Sequence, residues 1–204
     1  MTSTTSIFRD PFQVHSHAYL LPAVGVALGE LAPNSVFDLG CGNGAVAKHL
    51  ADRYRVVGID TWEDGIAEAN AAFPELRLDV GSAYDDLAER YGQFDAVVSL
   101  EVVEHLIDPK LCVRRMFNLV RPGGGIIIST PYHGYLKNLV LALTGKMDAH
   151  FTALWDGGHI KFWSVKTLTT LLTEAGFVDI EFRFVGRFRT LAKSMIAIAK
   201  RPLT

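Results

Sequence analysis

Cysteine is scarce in this 204-residue chain: Cys41 and Cys112 are the only two. Two are too few for a disulfide scaffold or a zinc cluster, and they fit a reducing compartment. A basic surplus is also lacking. Lys and Arg number 20 against 22 Asp and Glu, for a net charge of -2, which argues against a general nucleic-acid binder. No apolar run is long enough to span a bilayer. The opening Met1-Thr2-Ser3-Thr4-Thr5-Ser6 lacks the charged start and apolar stretch of a signal peptide. A cytoplasmic protein is expected, with peripheral contact at the inner face of a membrane left open. Repeats and low-complexity tracts are absent too.

What is present is ordinary globular composition, 49% apolar and 21% charged, enough for one domain with a substantial core. Short apolar runs alternate with helical patterns. Strands are expected at Val36–Asp38, Arg55–Asp60, Leu76–Val80, Phe94–Leu100, Gly125–Thr130, Val178–Phe184 and Ser194–Ala199. Helices are expected at Tyr19–Leu31, Asn43–Arg53, Asp64–Ala72, Leu111–Val120 and, capped by Ser164, through Ala175. Arg121-Pro122-Gly123-Gly124 reads as the stop of the fourth. Such alternation predicts an α/β, doubly wound, mostly parallel sheet with helices on both faces. Residues 1–204 form a single domain in this reading, with 1–14 a tail and 131–163 an insertion or lid on the substrate side. Ligands of such sheets sit beyond the carboxyl ends of the strands, where the turns after Asp38, Asp60, Val80 and Leu100 share one rim.

The densest motif is Asp38-Leu39-Gly40-Cys41-Gly42-Asn43-Gly44. Glycines let the chain turn sharply and let a ligand approach the backbone. A dinucleotide turn would read G-x-G-x-x-G, whereas the spacing here is G-x-G-x-G with an acid two residues ahead. An acid repels a phosphate but suits an ammonium group, such as the methionine end of S-adenosylmethionine. Asp38, Gly40, Cys41 and Gly42 are therefore candidate cofactor contacts. Asp60, 20 residues after Gly40, can accept hydrogen bonds from ribose hydroxyls. With it go Thr61 and Trp62, the latter against adenine, then Ser82 and Ala83 at the adenine edge and Leu100 at the thioether. Each has a plainer alternative: glycines often only make turns, Asp60 can be a helix cap, and Trp62 can be simple packing. Their order at successive strand ends favours the cofactor.

With these residues in hand, the chain resembles the class I S-adenosylmethionine-dependent methyltransferases over nearly its whole length. The matching pieces are Asp38-Leu39-Gly40-Cys41-Gly42, Gly58-Ile59-Asp60, Phe94-Asp95-Ala96-Val97-Val98, Arg121-Pro122-Gly123-Gly124 and Glu174-Ala175-Gly176-Phe177. Within that group it is most similar to the O-methyltransferases of ubiquinone biosynthesis, through Glu101-Val102-Val103-Glu104-His105-Leu106-Ile107-Asp108-Pro109. The resemblance implies cofactor contacts at Gly40, Asp60 and Leu100, and a seven-stranded Rossmann-like sheet with an antiparallel last strand. It also associates Glu101, Glu104 and His105 with a divalent metal. The chain is shorter than typical ubiquinone enzymes and shows no clear match around Gly186 to Ala192.

Methyl transfer to oxygen needs a positioned acceptor and a base or metal. On a helix, Glu101, Glu104 and His105 would share one face and could bind Mg²⁺ or another divalent cation. Alternatively His105 is a general base, with His159 and His133 as further candidates, or Glu104 and His105 are purely structural. His15 and His17 would reach the site only if the N-terminal segment folds over it. The insertion's aromatic residues, Tyr132, Tyr135, Phe151, Trp155, Phe162 and Trp163, either line a pocket for an apolar or aromatic small molecule or form a small core under a lid. Leu136–Leu143 is a short apolar helix that either lies in a membrane interface or is buried. Other readings are an N- or C-methyltransferase of another metabolite, a nucleic-acid methyltransferase, a nicotinamide-dependent dehydrogenase, and a cofactor-binding protein without turnover. The acceptor motif of amino-methylating nucleic-acid enzymes is missing after Leu100. The G-x-G-x-G spacing disfavours the dehydrogenase.

Overall fold

The computed structural model describes residues 11–204, with side chains from Ser16 onward. Among these residues seven strands form one sheet in the order β3-β2-β1-β4-β5-β7-β6. The strands are β1 (Ser35–Leu39), β2 (Arg55–Asp60), β3 (Arg77–Val80), β4 (Phe94–Leu100), β5 (Val120–Pro131), β6 (Val178–Val185) and β7 (Ser194–Lys200). The first five are parallel, and β7 runs antiparallel between β5 and β6. The helices are α1 (Pro11–Leu31), α2 (Ala45–Ala51), α3 (Glu63–Ala72), α4 (Leu87–Tyr91), α5 (Pro109–Leu119), α6 (Tyr135–Leu143), α7 (Met147–Phe151) and α8 (Val165–Glu174).

Alternation along each central strand builds two cores, because successive side chains leave a sheet on opposite faces. Phe37, Val97, Ile126, Ile128, Met195 and Ala197 pack on one side with residues of α5 and α8. Val36, Ala96, Val98, Ile127, Ile196 and Ile198 pack on the other with α1, α2 and α3. Both faces being covered explains why these strands read as continuous apolar runs.

Several boundaries differ from the sequence reading. The helix expected from Tyr19 already runs from Pro11, so residues 11–14 are helical and do not form a tail; the rest of that expected tail lies outside the described residues. The helix expected to end at Arg121-Pro122-Gly123-Gly124 ends at Leu119. Those four residues lie within β5, whose pairing with β4 shifts register between Phe94 and Ala96. An irregular strand tolerates Pro and Gly where a regular one would not. Ser164 does cap α8, in a reciprocal capping box with Thr167. The short α4 carries no periodic signal in its five residues.

At the amino edge of the sheet, Asp95 holds β4 against the start of β1. Its Oδ2 accepts from Asn34 N (2.8 Å), Ser35 N (2.9 Å) and Ser35 Oγ (3.1 Å), and Arg121 pairs with its other oxygen. Burial alone would raise this carboxyl, but these hydrogen bonds hold it below its usual range. Asp95→Ala is expected to cost about 1–3 kcal/mol in denaturant unfolding. Ligand affinity at the opposite, carboxyl edge should be unchanged, and a matching loss there would contradict this division of labour.

Candidate functional site

The carboxyl edge gathers the residues singled out in the sequence. Asp38, one residue short of the end of β1, is 1% exposed, and its Oδ2 has no hydrogen-bond partner among the described residues. Burial, and then the nearby charge of Asp60, push its carboxyl up to about 7. A buried carboxylate without a partner is costly. A ligand cation in this place would remove the cost.

The turn after Asp38 is pinned to the end of β2. Gly40 N and Cys41 N both donate to Ile59 O, at 2.8 and 3.0 Å. Gly42 N donates to Asp60 Oδ2 at 2.8 Å, and Trp62 N to Asp60 Oδ1 at 2.9 Å. Gly40 has φ 85°, and a Cβ there would come within 2.4 Å of Val102 Cγ2. Glycine is thus required both by backbone conformation and by the approach of the chain after β4. Asp60 is the clasp of two turns as well as a half-exposed carboxylate.

The other expected cofactor residues divide by what their side chains do. Cys41 is buried, with its thiol packed toward Gly58, and burial pushes that thiol well above its usual range; only its backbone borders the rim. Thr61 is exposed. The Trp62 ring lies over Gly65, where a Cβ would come within 2.2 Å of it. Ser82 shapes its own turn, its N donating to Asp85 and its Oγ accepting from Tyr84 N. Ala83 packs against one core and Leu100 against the other.

Beyond β4 the structure corrects the expected helix. Glu101 has φ 56°, and a 3-10 turn covers only Val103–His105, so Glu101, Glu104 and His105 do not share a helical face. Glu101 turns to the neighbouring strands: its Oε1 accepts from Ser129 Oγ at 2.8 Å and its Oε2 from Ser194 Oγ at 3.3 Å. Burial, outweighing these bonds, raises it to about 7. Glu104 is fully buried, and its carboxylate oxygens have no well-formed hydrogen bond among the described residues, although the nearby Thr130 hydroxyl partly offsets the effect of burial. Burial, then the charge of Glu101, raise its carboxyl well above the usual range. Glu104, His105 and His159 each offer a ligand atom, all within 4.8 Å of one another. The metal-capable trio therefore includes His159 and leaves out Glu101.

The insertion delivers His159. Ile160 N and Lys161 N both donate to Glu104 O, at 2.9 and 3.0 Å, and Trp163 Nε1 to Val103 O at 3.3 Å. The His105 and His159 rings lie 4.9 Å apart, and His105 Nδ1 is 3.3 Å from Gly158 O. His133 instead joins a small aromatic core with Phe151 and Phe162, where burial lowers its imidazole to about 4. His17 is half-buried; the His15 side chain lies outside the described residues.

Sequence reasoning missed the hydroxyl groups that surround Glu101 and Glu104. Tyr19 on α1 approaches Ser194 Oγ at 3.4 Å, and Ser129 and Thr130 are fully buried at the end of β5. A signal existed for the latter two, since they are polar residues closing the apolar run Ile126-Ile127-Ile128.

The chain matches the methyltransferase domain family over residues 14–181. It is 34% identical over 136 residues to a ubiquinone biosynthesis O-methyltransferase of Caulobacter vibrioides, covering 64% of this chain and 52% of that protein. It is 38% identical over 109 residues to the Pseudomonas aeruginosa protein of the same name, covering 49% and 45%. The chain thus spans about half the length of the curated relatives it matches. In fold it is similar to an S-adenosylmethionine dependent methyltransferase from Mesorhizobium loti, with TM-score 0.69, 20% identity and coverage of 88% of this chain and 96% of that one. Magnesium protoporphyrin IX methyltransferase from Synechocystis, solved with bound S-adenosylhomocysteine, gives 0.66, 21%, 89% and 80%.

The elevated Asp38 carboxyl makes a testable prediction with a definite sign. Its value in the fold, about 7, lies above its ordinary 3.8. The stability it contributes is therefore present at low pH and lost as pH rises through about 7. A ligand ammonium selects the ionised form. Affinity for S-adenosylhomocysteine, read by calorimetry, should rise between about pH 6 and 8, and Asp38→Asn should weaken and flatten that rise. An unchanged slope in the variant would remove Asp38 from the site.

Proposed function

The chain belongs to the methyltransferase domain family, as a class I S-adenosylmethionine-dependent member, and on that premise we propose that it methylates a hydroxyl oxygen of a small apolar or aromatic molecule. The observation that carries the cofactor half is the fully buried Asp38 carboxylate with an unpartnered oxygen beside the Gly40–Gly42 turn. In this reading Asp38 faces the cofactor ammonium and Asp60 the ribose, while continuing to hold Gly42 N and Trp62 N. The Thr61-Trp62 and Ser82-Ala83 turns flank the adenine, and Leu100 borders the thioether.

The transfer breaks the methyl–sulfur bond of the sulfonium and forms a methyl–oxygen bond. S-adenosylhomocysteine is released and the acceptor's hydroxyl proton passes to a base. The protein's task is to align acceptor and methyl group and to take up that proton. His105 and His159 are the candidates for the second task, since both rings lie beside the buried Glu104 carboxyl, 4.9 Å from each other.

Glu104, His105 and His159 also fit a divalent cation. One buried carboxylate and two imidazoles suit Mg²⁺ less well than Zn²⁺ or Mn²⁺ by donor type. Such an ion would supply a lowered pKa at an oxygen bound to it. The oxygen acceptor is supported by the relatives, O-methyltransferases of which this chain spans about half the length, and by the resemblance of Glu101–Pro109 to that group.

Two measurements test the proposal. With S-adenosylmethionine and a simple catechol, S-adenosylhomocysteine should accumulate. His159→Ala should cut turnover by about 10²-fold or more with cofactor affinity little changed. No product across a panel of phenols, with cofactor still bound, would overturn the oxygen-acceptor reading. Separately, Zn²⁺ or Mn²⁺ should raise the unfolding temperature of the wild type but not of Glu104→Gln; an equal shift in both would remove the cation site.

A further inference from the structure

The turn between β6 and β7 and the start of the insertion meet at one corner of the carboxyl edge. Strand register puts them there. Ser194 opens β7 opposite both Val185, the last residue of β6, and Pro131, the last of β5. Lys193 N donates to Val185 O and Tyr132 N to Lys193 O, each at 2.9 Å. The turn that follows β6 therefore closes beside Tyr132, and its 3-10 segment Arg189–Leu191 packs on α6. On α6 the apolar residues Leu136, Leu139, Val140 and Leu143 are exposed. Lys137 is half-buried instead and turns inward, its Nζ donating to Tyr132 O at 3.0 Å. The His133 and His150 rings, 5.8 Å apart, both lie within electrostatic reach of its ammonium.

The groups gathered at this corner favour charge of one sign. Burial, then the nearby guanidinium of Arg187, lower the Lys137 ammonium. Burial, then Lys137, lower the imidazoles of both His133 and His150, and His159 acts on His133 in the same sense. Both imidazoles are thereby kept uncharged, and each retains an N–H donor. The carboxylate that acts on Lys137 is that of Glu101, which Ser129 and Ser194 already engage. Among the described residues no carboxylate forms an ion pair with Lys137 or Arg187. Their neighbours Arg189 and Lys193 lie over the Phe184 and Tyr19 rings, at 5.0 and 5.3 Å. His133 Nδ1 and Asn138 Oδ1 are buried without a well-formed hydrogen bond among the described residues, although Asn138 partly offsets the effect of burial on His133. Two cations held together beside buried donors are unfavourable in the free protein, and an anion between them removes the repulsion. Through His159 this corner adjoins the acceptor side of the site.

We propose that Lys137 and Arg187 bind a carboxylate on the acceptor, with the His133 and His150 imidazoles as further donors, so that the acceptor is a hydroxylated carboxylic acid. For the hydroxyl end of that molecule the assignment rests on the oxygen-acceptor reading. A guanidinium offers a carboxylate two parallel N–H donors, and an ammonium adds a compact charge. One negative charge suits the place better than two, because Glu101 lies within reach of the same ammonium and repels a phosphate dianion more strongly. With the hydroxyl at His105 and His159 and the carboxylate at Lys137 and Arg187, the acceptor is held at both ends, which is the positioning that in-line transfer requires.

The test is calorimetric binding to the full chain saturated with S-adenosylhomocysteine, using catechols that differ in the charge of the side arm: 3,4-dihydroxyphenylacetate, its methyl ester and dopamine. The acid is expected to bind roughly 10- to 100-fold more tightly than the ester, with dopamine the weakest. Arg187→Glu should abolish that preference and Lys137→Gln should reduce it. Retained S-adenosylhomocysteine binding in each variant shows that the fold and cofactor site are intact. An acid that fails to bind, or binds no more tightly than the ester, overturns the proposal, as does a preference that neither substitution weakens. So does displacement of the acid by inorganic phosphate but not by acetate, because the corner would then be built for phosphate. Failure of the oxygen-acceptor reading looks different: the acid is bound in preference to the ester and neither is methylated, so that the carboxylate subsite stands and only the chemistry at the hydroxyl is lost.

Discussion

A buried acid with one oxygen unpartnered among the described residues is the constraint around which the rest of the carboxyl edge is arranged. Asp38 sits inside the end of β1, closed off from water, because the strand that carries it is covered on both faces. The Gly40–Gly42 turn then folds back onto Ile59 O and Asp60, so that two strand ends and one glycine turn are locked around the carboxylate. This arrangement is expensive for the free protein and favourable for a cationic ligand. It also explains why Gly40 tolerates no side chain: Val102, just past the end of β4, fills the space a Cβ would need.

Two further acids lie just past the end of the neighbouring strand β4 and are managed differently. Glu101 is satisfied by hydroxyls from β5 and β7, while Glu104 is held through its backbone by Ile160 and Lys161 and its carboxylate has no well-formed hydrogen bond among the described residues. The insertion after β5 thus does two things. Its end closes over Glu104 and brings His159 to His105, and its beginning forms α6 with its apolar stripe outward. Cofactor side and acceptor side are built from different parts of the chain, the first from β1 and β2 and the second from β4, β5 and the insertion.

The difference governs what could be read from sequence. The glycine turn, Asp60 and the strands up to β4 are local patterns, each set by a few contiguous residues, and β2 and β4 agree with the sequence reading to the residue. The antiparallel placement of β7 came through family resemblance, since periodicity alone does not give strand direction. The acceptor side is non-local. Nothing in Glu101-Val102-Val103-Glu104-His105 shows that the chain takes a positive φ at Glu101. The assumption of a continuous helix there put Glu101 in the wrong group, and the partnership of Glu104 with His159 spans 55 residues. The extension of β5 through Arg121-Pro122-Gly123-Gly124 was hidden for another reason: proline and glycine signal a stop unless the strand is irregular at that point, and its register with β4 is set by tertiary contacts.

The central claim is that Asp38 and Asp60 seat the two ends of one cofactor, and an experimental structure with S-adenosylhomocysteine tests it most directly. The account predicts the amino group within about 3 Å of Asp38 Oδ2, the ribose hydroxyls at Asp60, and the sulfur on the side of Leu100 facing Glu104 and His105. A ligand with its amino group in solvent, or with its ribose away from Asp60, would contradict it and leave the buried acid without a function.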